Sequence, residues 1–165
     1  MSQSTKDVQL QIRVSSSEKA AIQRAARSAG MDMSAYVLSL VLSAGSAQFE
    51  ERVAACARTA SSSFALAELN SFLVGLTPQK FRDAVAHAPK VALTPFIANY
   101  VAAMVDYGCA RLGIPTPSWT REVAPLREPA FGTTLQSLRL YLLTHSPAAF
   151  RSRNIFIDAT LGARV

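Results

Sequence analysis

The chain has 165 residues, half of them hydrophobic and 17% charged, with a formal net charge of +6. That length holds one or two small domains, and that apolar fraction excludes a disordered chain. The basic excess is spread, with five basic and three acidic side chains in residues 1–46 against twelve and eight in the remainder. A chain without a concentrated basic tail leans only weakly towards a polyanionic partner.

The first seven residues, Met1-Ser2-Gln3-Ser4-Thr5-Lys6-Asp7, carry no apolar core and do not read as a signal peptide. Val8–Val14 then alternates strictly. Val8, Leu10, Ile12 and Val14 fall on one face of a strand, Gln9, Gln11 and Arg13 on the other. The apolar face needs a core. The polar face offers two amides and a guanidinium, groups that pair bidentately with adenine and guanine edges in a DNA major groove. A lone strand leaves its backbone edges unpaired, so the expected partner is the same strand of a second chain.

Ser15 and Glu18 have capping-box spacing. They open a helix expected to bury Ala21, Ile22, Ala25 and Ala29 and to solvate Lys19, Gln23 and Arg27. Gly30 suits its C-terminal end. Asp32 or Ser34 caps the next helix, where Val37, Leu40, Val41 and Ala44 recur at helical spacing. Tyr36, Leu38 and Leu42 make that helix apolar nearly all round. A unit this small cannot bury such a helix alone, so an intertwined homodimer is expected.

Residues 6–46, from Lys6-Asp7-Val8 through Gly30-Met31-Asp32-Met33-Ser34-Ala35-Tyr36-Val37, resemble a ribbon-helix-helix domain of the Arc/MetJ type. Within that superfamily they are most similar to the antitoxin branch of bacterial toxin–antitoxin operons. The resemblance implies base reading by Gln9, Gln11 and Arg13. It also implies a phosphate clamp at the opening of the second helix, around Asp32, Met33 and Ser34. Many members carry Ser or Thr where this chain has Asp32. A carboxylate caps a helix well but repels phosphate. Lys6 and Lys19 join Met33 and Ser34 as expected phosphate contacts.

Gly45-Ser46-Ala47 reads as a hinge, dividing a ribbon-helix-helix domain over 1–46 from an all-α domain over 47–165. Gln48–Ala60 is expected to be helical, with Phe49, Val53, Ala54 and Cys56 inward. Ser61-Ser62-Ser63 interrupts it before a strongly apolar helix over Phe64–Leu76. Thr77-Pro78 and Thr94-Pro95 each place an N-cap before Pro at the first helical position. The first opens a short helix to His87, the second the longest helix, to Leu112. Phe96, Ile97, Tyr100, Val101 and Met104 make that long helix the expected centre of the second core. The uncharged run Val91–Val105 is too short, and too marked by Pro95, for a membrane span. A Pro-rich loop holding Trp119 fills 114–129. A helix over Phe131–Thr144 and a short turn from Ser146-Pro147 to Phe150 follow, and Ile155-Phe156-Ile157 is apolar with no assigned state.

The C-terminal end carries a second, weaker resemblance. Trp119-Thr120, Leu126-Arg127-Glu128-Pro129-Ala130-Phe131 and Ser146-Pro147-Ala148-Ala149-Phe150-Arg151-Ser152-Arg153-Asn154-Ile155-Phe156-Ile157 look like the end of small bacterial regulators. Those are often encoded beside nucleotidyltransferase-like toxin genes. It implies a body that holds a toxin, with Trp119, Arg139, Arg151, Arg153 and Asn154 as candidate contacts. Arginine suits an acidic partner surface because its planar fork pairs carboxylates. Trp119 reads equally well as an interface anchor or a core plug, whereas the arginine cluster reads first as a solvated turn and second as a docking point for an acidic partner surface.

His87 and His145 have no ligand-spaced neighbours, and no Gly-rich phosphate loop, Cys pair or Gly-x-Ser-x-Gly elbow is present. The expectation is therefore a non-enzyme without metal or cofactor. Cys56 and Cys109 read as reduced core thiols, and the cytoplasm as the compartment. The leading function is a homodimeric antitoxin, possible higher oligomers included, that binds double-stranded operator DNA and a cognate toxin, away from membranes. The alternatives are a ribbon-helix-helix regulator whose helical half oligomerises or senses a ligand, and a helical adaptor whose ribbon only dimerises.

Overall fold

The computed structural model describes residues 11–58 and 62–158. The chain divides into two compact units, Met1–Val41 and Leu42–Val165. The fold is mainly helical, with a single two-stranded sheet among the described residues.

In the first unit, helix α1 spans Ser16–Ser28. The capping box forms in full. Ser15 N–H donates to Glu18 Oε2 at 2.8 Å, and Glu18 N–H donates to Ser15 Oγ at 3.3 Å. At the other end Gly30 turns left-handed, with φ +67°. Gly30 N–H then reaches Arg27 O at 3.1 Å and Met31 N–H reaches Ala26 O at 3.0 Å. Two carbonyls that the helix end would orphan are satisfied in this way. Ala26 is buried, and Ile22 and Ala25 are half-buried on the same face. Ala21 and Ala29, expected inward, are exposed, one at the edge of that face and the other at the C-cap.

Val8, Gln9 and Leu10 lie outside the described residues. Gln11–Val14 are exposed and carry no strand assignment. A β ladder is a relation between two strands, and one chain offers only one of them.

Helix α2 spans Met33–Arg58. The expected hinge at Gly45-Ser46-Ala47 is therefore helical, and so is the start expected for a separate helix at Gln48. One glycine in a helix costs only about 1 kcal/mol relative to Ala, too little to break a run flanked by good formers. In the first unit's part of α2, Tyr36 and Val37 are half-buried and Leu38 and Leu40 exposed. The side chains of Val41, Leu42 and Ala44 lie outside the described residues.

The second unit adds α3 (Ser62–Val74), α4 (Pro78–Ala84), α5 (Pro95–Leu112), α6 (Trp119–Glu122), β1 (Ala130–Phe131), α7 (Gln136–His145), α8 (Ala148–Arg151) and β2 (Ile155–Phe156). Its core forms around α5, as the sequence pattern implies. Thr94 Oγ1 caps α5 by accepting from Ile97 N–H at 3.3 Å, and Pro95 supplies the fixed φ of its first residue. Gly113, at φ +64°, ends it. Val101, Ala102, Ala103, Val105 and Cys109 are fully buried along its length, with Phe49 and Val53 of α2, Leu69 of α3 and Phe81 of α4 in the same cluster. Gly108 is fixed by contact, because a Cβ there would fall on the ring of Phe81.

Two elements depart from the sequence expectation. The helix expected from Phe131 starts at Gln136, because Phe131 belongs to a strand. Ala130 N–H donates to Asn154 O and Gly132 N–H to Phe156 O, both at 2.9 Å. The strands β1 and β2 are parallel, pairing Ala130 with Ile155 and Phe131 with Phe156. Parallel strands need a crossover, and here α7 and α8 provide it. The Pro-rich loop also holds a short helix, α6.

Candidate functional site

The first candidate is the exposed polar surface of the first unit. Gln11 and Arg13 are solvent-facing in the segment preceding the α1 cap. Gln9 and Lys6 lie outside the described residues. Lys19 is exposed on α1.

The start of α2 is built by Asp32. Its Oδ1 accepts from Ala35 N–H at 2.9 Å, and its carbonyl accepts from Tyr36 N–H at 2.9 Å. Those bonds occupy the third and fourth N–H groups of the helix. Met33 and Ser34 supply the first two, which a helix cannot bond internally. Both residues are exposed. The arrangement offers two outward N–H groups at the positive end of a helix dipole, which suits an anion. The Asp32 carboxylate is tied to the helix and serves as cap.

Apolar groups beside this polar surface are uncovered in the single chain. Ile12 is 60% exposed and Leu40 54%, with Val14, Met31, Met33 and Leu38 also exposed. The polar and apolar faces expected of residues 11–14 are thus both accessible.

The second candidate is an apolar groove of about 380 Å³ in the second unit. Leu66 and Ala67 of α3, Tyr100 and Met104 of α5, Gly132 beside β1 and Ile157 beside β2 are among the residues that line it. The ring of Tyr100 meets Phe150 edge-on at 5.2 Å and Phe96 at 5.7 Å. Burial pushes the Tyr100 phenol above its usual range. The groove can take apolar matter. Among the described residues no group of three or more His, Cys, Asp or Glu is placed to hold a metal ion.

The residues expected to touch a protein partner separate into two sets. Arg153 is buried, 6% exposed. Its Nη2 donates to Asp106 Oδ2 at 2.8 Å and Thr120 O at 2.6 Å, its Nη1 to Val123 O at 3.3 Å, and its Nε to Asp106 Oδ2 at 3.3 Å. A guanidinium held by four bonds to three acceptors is part of the body, and the expectation of a partner contact is corrected for this residue. Asn154 likewise works internally. It adopts φ +62°, and its Nδ2 donates to Leu126 O at 3.0 Å. Trp119 is the core plug of its two readings: it is 7% exposed and its Nε1 donates to Val85 O at 2.9 Å.

Arg139 and Arg151 remain on the surface. Arg139 sits over the ring of Phe131, 4.9 Å from its centre, and Phe131 lines the groove. The sequence reading missed Asp106. The available signal was a lone carboxylate in the interior of a strongly apolar helix.

Cys56 and Cys109 are both buried and free. Burial, aided by the Asp106 charge, pushes the Cys109 thiol up to about 11. Burial also raises Cys56. Neither thiol is poised as a nucleophile. Among the described residues, no helix is long and apolar enough to cross a membrane.

Residues 4–53 match a protein-family model described as NikA-like, mobilization protein NikA. The match takes in the alternating segment, α1 and the first part of α2, and is consistent with a ribbon-helix-helix domain there. Comparison with curated proteins and with solved structures gave no match.

Proposed function

We propose that this chain is a DNA-binding regulator that works as a homodimer, its two copies pairing through residues 8–14. Gln9, Gln11 and Arg13 read base edges. The N–H groups of Met33 and Ser34 hold a phosphate on either side of the ribbon. The observation that carries this reading is the family match over 4–53, which coincides with the alternating segment and the capped start of α2. The exposed Ile12 and Val14 support the dimer, since a second copy would cover them.

The second unit is the partner-binding body. We infer that this partner is a toxin and the chain an antitoxin that represses its own operon, a reading supported by the resemblance at both ends of the chain. The groove beside Phe131 and the exposed Arg139 support a folded body that holds an apolar surface with an acidic rim. A second reading is favoured by the matching family, that of a mobilization protein. In it the bound DNA belongs to a mobilisable element, and the helical body serves assembly there without a toxin.

Two measurements test these assignments. Arg13→Ala should cost about 1–3 kcal/mol on a duplex selected from a random pool by the wild-type protein, with little change on random duplex. Equal weakening on both would remove Arg13 from base reading. Co-expression with the neighbouring gene product should give a complex that survives purification and is lost in Arg139→Glu, through charge repulsion at the rim. Absence of any wild-type complex would leave the regulator without a toxin.

A further inference from the structure

The electrostatics of α1 carry more than the ribbon reading uses. Within the described part of the first unit there are four basic side chains, Arg13, Lys19, Arg24 and Arg27, and two acidic ones, Glu18 and Asp32. Both carboxylates are committed as helix caps. Glu18 accepts from the backbone N–H and hydroxyl of Ser15, each at 2.8 Å. Asp32 accepts from Ala35 N–H. Among the described residues no ion pair engages any of the four cations, the one salt bridge being Arg153 with Asp106.

The cations of α1 also share a side. Lys19, Gln23 and Arg27 are each four residues apart, so they succeed one another along one face, and Arg24 flanks that row. All four side chains are exposed. The apolar side, formed by half-buried Ile22 and Ala25 and buried Ala26, is centred opposite Arg24 and Arg27, and Lys19, two turns before Ala26, stands at its edge. From Lys19 to Arg27 the row runs about 12 Å, at 1.5 Å per residue. Measured along the duplex axis, that equals the rise of about three or four base pairs at 3.4 Å each.

We infer that this face of α1 is a second DNA-contact surface, in which Arg24 and Arg27 join Lys19 in tracking the sugar-phosphate backbone. The inference rests on the DNA-binding reading of the ribbon and adds residues that reading does not use. Charge complementarity commits the face to a polyanion. Three long cations on one helix, none of them in an ion pair among the described residues, hold phosphates at any sequence. Arg24 and Arg27 therefore supply affinity and salt dependence, whereas Arg13 supplies discrimination.

The test compares the full-length protein with Arg24→Gln/Arg27→Gln and Arg24→Lys/Arg27→Lys, titrating a random-sequence duplex at several salt concentrations. Gln and Lys are as helix-favouring as Arg, so α1 is preserved, and circular dichroism checks it. Two arginines on each of two chains make four phosphate contacts. At about 0.9 per contact, the glutamine variant should flatten the logarithmic salt slope by about 3–4, with its preference for the selected duplex over the random one retained. The lysine variant should keep the wild-type slope. An unchanged slope in the glutamine variant would overturn the inference and leave the ribbon reading standing. A slope lost in the lysine variant as well would overturn it too, since charge would not be what is recognised. Failure of the wild-type protein to bind either duplex would overturn both readings together.

Discussion

Arg153 ties two distant stretches of the second unit to its own through one side chain. It joins α5 at Asp106, α6 at Thr120 and the following loop at Val123. Removing one partner of a buried pair leaves the other charge uncompensated, at about 3–5 kcal/mol. Arg153→Ala should therefore lower the stability of this unit by that amount in urea denaturation, whereas the exposed Arg151→Ala should change it by less than about 0.5 kcal/mol. Equal, small effects at both positions would contradict the clasp. The sequence placed Arg153 on the surface because Arg151, Ser152 and Asn154 around it read as a polar turn. Its ion-pair partner lies 47 residues away, and local spacing does not report such a contact. Trp119 was ambiguous for the same reason: what decides between plug and anchor is the acceptor at Val85 O.

At the scale of elements, legibility followed whether the determinant is local. The α1 capping box, the Thr94-Pro95 start of α5 and its end at Gly113 depend on residues within a turn of each other, and each is in place. The apolar row of α5 located the core for the same reason. Gly45-Ser46-Ala47 is helical because turn-forming residues are only weak helix breakers in a helix that buries Phe49 and Val53 beyond them. The β1–β2 pair was invisible because two-residue strands have no period to read, and their pairing is set by Ala130 and Asn154 meeting across the crossover. At the candidate DNA surface, Arg13 and Lys19 were legible as exposed side chains on alternating and helical patterns. The commitment of Glu18 and Asp32 to caps, which leaves the α1 cations without ion pairs among the described residues, required the hydrogen bonds themselves.

For the whole molecule the central claim is a dimer made by residues 8–14. It accounts for an alternating segment whose apolar face is uncovered in one chain, and for a first unit whose helices leave Leu38 and Leu40 exposed. The most direct measurement is sedimentation equilibrium of the full-length wild-type protein beside Ile12→Lys. An ammonium on the apolar face of the ribbon would be buried without a partner on association. The account predicts a wild-type dimer and an Ile12→Lys monomer that retains the helical signal of the second unit. A monomeric wild-type protein, or an Ile12→Lys variant that dimerises as the wild type does, would contradict it.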